Sequence, residues 1–464
     1  MGVNLTLPPA TEPRVMLWRE PLRCALSPGD VLARLAGEPL PFALAGSWAG
    51  GGAIVGSCPV AVAGDENDPF AVLDRLPDLT GPAPAGAVGG GWFGWLGYRL
   101  GARVERLPAG PPRPVALPEF HLAYYDHVLR RDPAGRWWFE ALATDARHDA
   151  LATRLADLRR RLARPPDRGR RPGRPRPPTP SALSLSRAAA IHHLEAVADC
   201  VRRIAAGEIF QANLCLRLDA GWDGTAGELF RRSAEHLHPP FAAVFDTPRG
   251  SIASLSPELF LRRRGGLVQT GPIKGTLERA ADPAVAAAAR RQLIDSAKDA
   301  AEHVMIVDLM RNDLGRVCAY GTVAAARRPT AEPHPGLWHL VSEVRGTLRP
   351  GVANAELLRA TFPPGSVTGA PKVQAMHVIA ALEPTSREVY TGAIGFASPV
   401  AGLELSVAIR TLEMHGGRLW LGAGGGIVAD SDPRRELAEA LAKARPIAAA
   451  VGAAVRNRSS VRAA

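Results

Sequence analysis

Two segments in the C-terminal half of the sequence carry carboxylates at helical spacing. Asp299 and Glu302 are three residues apart, as are Glu436 and Glu439, and Lys443 follows four residues later. This spacing places each acidic pair on one face of a helix. If the two faces met across a cavity, their oxygens would suit Mg²⁺, which takes one or two protein carboxylates and keeps water or substrate oxygens. For either segment alone, the alternative is a solvated helix with an ordinary Glu439–Lys443 pair.

Lysine is rare in this chain. The 56 basic residues include only four lysines, which are Lys274, Lys298, Lys372 and Lys443. A composition rich in Ala, Arg, Gly and Pro indicates mutational pressure that replaces Lys by Arg wherever either serves. Arg cannot replace an amine that must lose its proton, because guanidinium stays charged. The retained lysines are therefore candidates for chemistry, among them Lys274 in Pro-Ile-Lys-Gly-Thr.

Further polar residues lie in or beside predicted strands. Gln211 and Asn213 share one face of a strand at 208–218 whose other face is apolar, so that they could line a polar cavity. Glu258 follows a strand-like segment at 251–255, and a carboxyl beside apolar strands can act as a general acid. Arg410 lies within a predicted apolar strand, where a cation needs a carboxylate partner. The alternative for the strand is that it is simply half-exposed. For Glu258 the alternative is a contact with solvent, and for Arg410 it is a structural ion pair.

A glycine-rich segment precedes the second acidic helix. We expect the glycines at 422 and 424–426, after a strand at 418–421, to form a loop whose backbone amides can hold an anion. Asp432 and Pro433 then begin the helix as its N-cap and first residue. The glycine spacing matches neither a P-loop nor a dinucleotide fingerprint. No His/Cys spacing suggests zinc.

The positive charge is concentrated in one segment. Of the formal net charge of +11, residues 159–176 supply +8, because they contain nine Arg and one acid. Prolines recur in this stretch, and no aromatic residue lies between its arginines to stack on bases. We predict an extended linker at 159–182, between an N-terminal region (1–158) and a catalytic domain (183–446), with a tail at 447–464. Polyanion binding by the linker is the alternative from another functional class.

Bulk composition indicates an ordinary globular protein. The 464 residues are 46% apolar and 22% charged, which is typical of such chains. No apolar run approaches the ~20 residues that a membrane span requires, and residues 1–20 carry proline and charge where a signal peptide needs an apolar stretch. Five scattered Cys without a Cys-x-x-Cys pair suit reduced thiols. We expect a cytoplasmic protein that binds neither membrane nor nucleic acid.

Eight segments resemble the chorismate-utilising enzymes, which include the large subunits of anthranilate and aminodeoxychorismate synthases and the isochorismate and salicylate synthases. These segments are 208–217, 256–258, 272–276, 302–316, 365–376, 390–395, 408–411 and 424–443. The resemblance covers 183–446 in order, and in the N-terminal half it lies mainly at 89–98 and 117–129. It implies an α/β (α+β) fold with two large, mainly antiparallel sheets packed as a sandwich, with outer helices.

The resemblance also implies roles for individual residues. It implies one Mg²⁺ held by Glu302, Glu439 and Glu436, with Asp299 nearby, on the ring carboxylate of chorismate. Glu258 matches the general acid that helps the 4-hydroxyl to leave, and His303 lies beside the metal. The implied contacts to the substrate come from Gln211, Asn213, Thr276, Thr368, Tyr390, Gly392, Arg410, Gly424 and Lys443. Mg²⁺, Arg and Lys would together offset the cost of burying a dianionic substrate.

Two positions distinguish the branches of this family. Members that add water carry a Lys base where this chain has Gln211. At Lys274, aminodeoxychorismate synthases have Lys and anthranilate synthases have Ala. The resemblance therefore favours amination of chorismate to 4-amino-4-deoxychorismate, for 4-aminobenzoate and folate synthesis, with anthranilate synthesis as the alternative. The amine of Lys274 would attack C2 and expel the 4-hydroxyl, and ammonia would then attack C4 and release the lysine.

The source of ammonia is a separate question. A glutaminase of the usual type needs a Cys nucleophile in Gly-x-Cys-x-Gly, and none of the five Cys has this setting. We therefore expect ammonia to come from a separate glutamine amidotransferase subunit.

Overall fold

The computed structural model describes residues 14–115, 117–164, 180, 182–280, 282–325, 329–334 and 337–457. Up to residue 164, the strands are β1 (Val15–Leu22), β2 (Phe42–Gly46), β3 (Gly52–Gly56), β4 (Ala61–Val62), β5 (Leu79–Thr80), β6 (Gly91–Leu96), β7 (Phe120–Tyr125), β8 (His127–Arg131) and β9 (Trp137–Ala143). The α-helices of this part are α1 (Pro28–Arg34), α2 (Pro69–Val72) and α3 (His148–Ala163).

The C-terminal half contains the remaining elements. Its strands are β10 (Leu183–Leu185), β11 (Gln211–Gly221), β12 (Phe241–Thr247), β13 (Gly250–Ser256), β14 (Leu259–Arg264), β15 (Leu267–Gly271), β16 (Ile273–Glu278), β17 (Ala324–Ala325), β18 (Thr330–His334), β19 (Leu337–Val341), β20 (Val344–Thr347), β21 (Gly369–Ala370), β22 (Ala393–Ser398), β23 (Gly402–Val407), β24 (Thr411–His415), β25 (Arg418–Ile427) and β26 (Val455–Asn457). Its helices are α4 (Arg187–Ala205), α5 (Ala226–Leu237), α6 (Pro283–Asp295), α7 (Ala297–Gly315), α8 (Asn354–Thr361), α9 (Lys372–Leu382) and α10 (Pro433–Ala450).

Strands from both halves of the chain pair within the same two sheets. The first sheet has the order β26-β10-β11-β25-β24-β13-β12-β2-β3-β8-β9-β1-β5, with β21 also paired to β11. The second has the order β17-β20-β15-β14-β23-β22-β6-β7-β4, and β16, β19 and β18 form a small third sheet. The halves join where β2 pairs with β12 and β6 pairs with β22, both antiparallel. The predicted fold with two large, mainly antiparallel sheets is confirmed.

Aromatic side chains pack between the two large sheets. Phe42 of the first sheet lies 4.5 Å from Phe93 of the second, measured between ring centroids. It also lies 5.4 Å from Phe245 on the neighbouring strand β12, and Phe93 lies 5.5 Å from Phe396. Offset and edge-on contacts of this kind add to the free energy of burying the rings. This shared core ties the N-terminal half to the strands that carry the site.

Helices cover the outer face of the first sheet. Buried leucines of α3, α5 and α10 belong to one core cluster with the outward side chains of β11, β13 and β25. Both α4 and α10 begin at residues whose side chains cap the helix. The side chain of Ser186 accepts a hydrogen bond from the N–H of Ala189, and that of Asp432 accepts one from the N–H of Arg435. The predicted start of α10 is therefore confirmed.

The segment around the predicted linker and the chain after residue 446 are partly described. Residues 159–163 form the last turn of α3, whereas 165–179 and 181 lie outside the described residues. After residue 446, α10 continues to Ala450, and β26 pairs in parallel with β10. Within the described ranges, no helix is long and apolar enough to cross a membrane.

Candidate active site

One cavity of about 610 Å³ gathers most of the predicted site residues. Its walls come from β11, β16, β25, α7, α10 and the turns beside β13 and β24. The predicted residues that line it are Asn213, Glu258, Glu302, Tyr390, Arg410, Gly424, Glu436, Glu439 and Lys443. Its volume is within the range usual for small-molecule sites.

The two glutamates of α10 point toward the glycine strand β25. A Cβ placed on Gly425 would lie 3.4 Å from Glu436 Oε2, 3.9 Å from Glu439 Oε1 and 3.5 Å from Lys443 Nζ. Glu436 is buried and accepts a hydrogen bond from Ser431 Oγ at 2.7 Å. Glu302 reaches the same cavity from α7. Glu436 and Glu439 of α10 and Glu302 of α7 therefore face one hollow.

Two cations, Lys443 and Arg410, line the cavity together with its four glutamates. Lys443 Nζ lies 2.9 Å from Glu439 Oε1 and donates to the carbonyl oxygen of Gly424 at 3.1 Å. Burial lowers the pKa of Arg410 to about 10, and the carboxylate of Glu258 opposes that shift. Arg410 therefore stays cationic at neutral pH beside the cavity.

The structure corrects the sequence prediction for the backbone of Arg410. This residue lies in the turn between β23 and β24 with φ of 51°, and not within a strand. Its carbonyl accepts the N–H of Leu255 at 3.0 Å. A left-handed backbone is uncommon for a side chain of this size. The turn lets the guanidinium leave the sheet and enter the cavity.

The glycine-rich segment is also different from its prediction. Residues 422–426 are not a loop but part of β25, which pairs with β11 from Ala212↔Ile427 to Gly221↔Arg418. Glycine is needed here for close approach, because a Cβ on Gly424 would lie 2.3 Å from the carbonyl oxygen of Leu214. The long pairing with β11 outweighs the local preference of glycine for turns.

The strand predicted at 208–218 is present as β11, which begins at Gln211, and of its two amides only Asn213 lines the cavity. Asn213 lines the cavity and donates from Nδ2 to Cys215 Sγ at 3.2 Å. Gln211 is fully buried, and neither its Nε2 nor its Oε1 has a hydrogen-bond partner among the described residues. A buried amide without partners is costly, so a bound polar group is the expected complement.

Thr368 and Gly392 have structural contacts. The hydroxyl of Thr368 donates to the carbonyl oxygen of Gly365 at 3.0 Å, while Ser366 and Val367 of the same turn face the cavity. A Cβ on Gly392 would lie 2.1 Å from the carbonyl oxygen of Leu96. Neither Thr368 nor Gly392, both predicted to contact the substrate, is among the described residues that line the cavity.

Glu258 and His303 are both buried. Glu258 lines the cavity, and its backbone N–H donates to Ser256 Oγ at 3.2 Å. His303 follows Glu302 on α7, and its Nε2 lies 2.5 Å from Ser342 Oγ. The general-acid candidate therefore faces the cavity, whereas the histidine is anchored behind it.

The side chains of Lys274, Thr276 and Asp299 lie outside the described part of the structure. The backbone of Lys274 belongs to β16 and pairs with Leu340 of β19. The residues on either side, Ile273 and Gly275, line the cavity.

Lys372 has a structural environment. Its Nζ lies 2.5 Å from Asp313 Oδ2 and donates to the carbonyl oxygens of Thr361 and Pro363 at 2.9 and 3.1 Å. Burial raises the pKa of Asp313, and the ammonium of Lys372 opposes that shift. This lysine joins α7 to α9 away from the cavity lining.

Sequence analysis missed one wall of the cavity. Apolar and ring side chains between the end of α5 and the last turns of α10 complete it; they include Leu237, Pro239, Pro240, Leu255, Pro446 and Ile447. The only local signal was the Pro-Pro pair that precedes β12. Such a wall excludes water, so charges on the opposite wall act more strongly.

The arrangement can bind an anion beside a divalent cation. Across the described residues, no group of three or more His, Cys, Asp or Glu side chains is close enough to hold a metal by itself. Two converging carboxylates with a third across the cavity still suit Mg²⁺, which completes its shell with water or ligand oxygens.

Comparison with known proteins connects this geometry to a family. The sequence profile of the chorismate binding enzymes matches residues 60–449. The aminodeoxychorismate synthase component 1 of Klebsiella aerogenes is 39% identical over 363 residues, which are 77% of this chain and 76% of that protein. The anthranilate synthase component 1 of Streptomyces coelicolor is 35% identical over 459 residues, or 94% and 89% of the two chains.

A solved structure shows the same architecture. Anthranilate synthase component I of Streptococcus pneumoniae superimposes with a TM-score of 0.71 at 25% sequence identity, covering 96% of this chain and 94% of that one. The family profile spans both halves of the chain, as the shared sheets do. By sequence and by fold, this chain belongs to the family of chorismate binding enzymes.

Proposed function

We propose that this chain aminates chorismate at C4 and forms 4-amino-4-deoxychorismate, the precursor of 4-aminobenzoate in folate synthesis. The observation that carries the proposal is the position of Lys274, which lies on β16 between two residues that line the cavity. Relatives named aminodeoxychorismate synthase component 1, at 38–39% identity over more than three quarters of the chain, support it.

The charged groups of the cavity suit a dianionic ring. Arg410 and Lys443 would pair with the two carboxylates of chorismate, and Tyr390 and the Gly424 backbone would lie against it. Burying two negative charges needs such partners, because an unpaired charge in a dry site is strongly disfavoured.

Mg²⁺ fits the acidic side of the same cavity. Glu302, Glu436 and Glu439 would hold it, since their carboxylates face one hollow and the metal accepts few protein ligands. Bound there, the ion would supply positive charge at the ring carboxylate. Lys443, which pairs with Glu439 in this structure, would then be released toward the substrate.

The amination would proceed in two displacements. The neutral amine of Lys274 forms a bond to C2, the two conjugated double bonds of the ring shift, and the C4–O bond breaks. Glu258 gives its proton to the departing hydroxyl, which leaves as water. Ammonia then attacks C4, both double bonds shift back, and the C2–N bond to the lysine breaks; the proton that the new C4 nitrogen loses restores Glu258. His303 would hold its segment of α7 beside the carboxylates through Ser342.

The test is to identify the product. The purified chain is incubated with chorismate, Mg²⁺ and ammonium, and the product is treated with an aminodeoxychorismate lyase. We expect 4-aminobenzoate; fluorescent anthranilate instead would establish the second candidate, which the 35% identity to an anthranilate synthase component 1 favours. Lys274→Ala and Lys274→Arg are both expected to lose at least ~100-fold in kcat, and normal turnover by the Arg variant would exclude a covalent amine.

Ammonia would come from a glutamine amidotransferase. The word component in the names of the relatives supports a second subunit. Glutamine-dependent turnover that appears only when such a subunit is added would confirm this; a glutaminase activity in the purified chain would contradict it.

The Arg/Pro segment predicted as a linker at 159–182 is expected to play no part in turnover. Deletion of 164–178 is expected to leave turnover unchanged. If the deletion instead abolished turnover, the segment would have a role in the reaction. If the deletion removed binding of polyanions and left turnover intact, the result would support polyanion binding as a function of this segment.

A further inference from the structure

A buried carboxylate lies behind the turn that carries Tyr390. Glu413 of β24 is fully buried, and its Oε1 accepts the backbone N–H groups of Val389 and Tyr390, both at 2.9 Å. Hydrogen bonds from two amides to one charged oxygen are among the stronger contacts in proteins. Glu413 therefore holds the main chain at this turn.

The second oxygen of this carboxylate faces a largely buried arginine. Arg217 of β11 forms an ion pair with Glu413 Oε2 and donates from its other terminal nitrogen to the carbonyl oxygen of Ser386 at 3.1 Å. The pair crosses β25 beside Gly422, which is opposite Arg217 in the strand register. A buried charge is tolerated when it is paired and hydrogen-bonded in this way.

The segment that Glu413 holds has an unusual backbone. Glu388 and Thr391 have φ of 53° and 65°, so two left-handed non-glycine residues enclose Val389 and Tyr390. Such residues persist only where their surroundings fix them, and they concentrate at functional sites. The two bonds to Glu413 lie between the two strained positions.

We infer that Glu413 is a positioning residue for substrate binding. It acts through the Val389–Tyr390 backbone, which sets the phenol of Tyr390 against Gly422 at the cavity wall. The inference rests on the proposed function, because it assigns Tyr390 a contact with chorismate. Neither Glu413 nor Arg217 lines the cavity among the described residues.

The chain contains a matched control. Glu140 of β9 is equally buried, pairs with Arg19 at 2.9 Å, and accepts the backbone N–H groups of Val88 and Gly89 at 2.7 and 3.2 Å. Glu140 therefore makes the same kinds of contact in the N-terminal half as Glu413 makes in the C-terminal half. Glu140→Gln therefore reproduces the structural cost of losing such a charge without touching Tyr390.

The first experiment compares steady-state kinetics. We expect Glu413→Gln to raise the KM for chorismate about tenfold, as expected for one weakened charged hydrogen-bond pair, whereas Glu140→Gln keeps the wild-type KM. Combined with Tyr390→Phe, Glu413→Gln should add little further, because both variants act on the same contact. The inference would be overturned if the two glutamate variants had equal KM values. It would also be overturned if the effects of Glu413→Gln and Tyr390→Phe on KM were fully additive in the double variant.

The second experiment does not depend on turnover. Amide hydrogen exchange of the peptide containing Val389 and Tyr390 is expected to accelerate at least tenfold in Glu413→Gln and to stay unchanged in Glu140→Gln. Unchanged exchange in Glu413→Gln would also overturn the inference. If the wild-type chain released anthranilate or did not consume chorismate, the proposed function would be contradicted. The hydrogen-exchange comparison of Glu413→Gln with Glu140→Gln would still test whether Glu413 holds the Val389–Tyr390 backbone.

Discussion

The ring of Tyr390 lies directly on the backbone of Gly422. A Cβ at position 422 would come within 2.3 Å of the ring atom Cδ1 and 2.4 Å of Cγ. Because both residues line the cavity, this contact fixes the position of the phenol relative to the strand β25.

Gly422→Ala tests that contact. The methyl group must displace a buried ring, and overpacking of this kind costs about 1–3 kcal/mol. We expect kcat/KM for chorismate to fall about 10–100-fold. Gly266→Ala is the control, because a Cβ there meets no atom within 4 Å. A Gly422→Ala enzyme with wild-type kinetics would mean that the ring position is not set by this strand.

Glu439→Gln tests the metal side of the cavity. Removing one of the converging carboxylates is expected to raise the Mg²⁺ concentration for half-maximal activity at least ~10-fold. Chelation should abolish turnover of the wild type, and added Mg²⁺ should restore it. The exposed Glu195 of α4 gives a control, and Glu195→Gln should keep the wild-type Mg²⁺ dependence. Full activity of the wild type in excess chelator would exclude a metal.

Lys372→Met tests the structural role of the Lys372–Asp313 pair. The variant leaves a buried carboxylate without its cation, which typically costs about 3–5 kcal/mol of unfolding free energy. Urea denaturation should show this loss, and Lys372→Met combined with Asp313→Leu should recover much of it. If the variant instead had a normal unfolding curve and a raised KM for chorismate, Lys372 would have a role in substrate binding and not in stability.

The buried histidine His121 makes stability depend on pH. Burial lowers the pKa of His121 to about 4, and Arg249 contributes in the same direction. Since the unfolded chain takes up the proton near pH 6.5, the stabilisation present at neutral pH is lost as the pH falls from 6.5 toward 4. The expected loss between pH 7 and 5 is about 2 kcal/mol.

His121→Phe measures this contribution, because it keeps a ring beside Trp95, whose centroid lies 4.9 Å from that of the histidine. Urea denaturation at pH 7 and pH 5 should show a smaller loss in this variant than in the wild type. Replacement of the exposed His415 serves as the reference. An identical pH dependence in all three proteins would rule out the contribution of His121.

The parts of the site that were predicted from sequence depend on local chemistry. Asp432 caps α10 because its own side chain reaches the N–H of Arg435, and the acidic spacing on this helix then brings Glu436 and Glu439 to one face. The alternation on β11 likewise places Asn213 in the cavity. Each of these features is contained in a few adjacent residues, so a pattern can reveal it.

The parts that were missed or wrong depend on distant partners. Residues 422–426 form a strand because β11 pairs with them, although their glycines favour a turn. Arg410 takes a left-handed backbone because the chain must leave β23 and enter β24 beside β13. Glu413 lies in an ordinary short strand, and only the folded chain reveals the amides and the arginine that surround its carboxylate.

The pairing of β2 with β12 has a consequence for synthesis on the ribosome. Phe42 cannot meet Phe245, its partner in the strand register, until about 200 more residues have been translated. At about 5–20 residues per second, translation of these residues takes roughly 10–40 s. During this time the edge of β2 that pairs with β12 in the folded chain has no partner strand. Molecular chaperones that shield apolar edges during translation would thus act on this polypeptide before its later half exists.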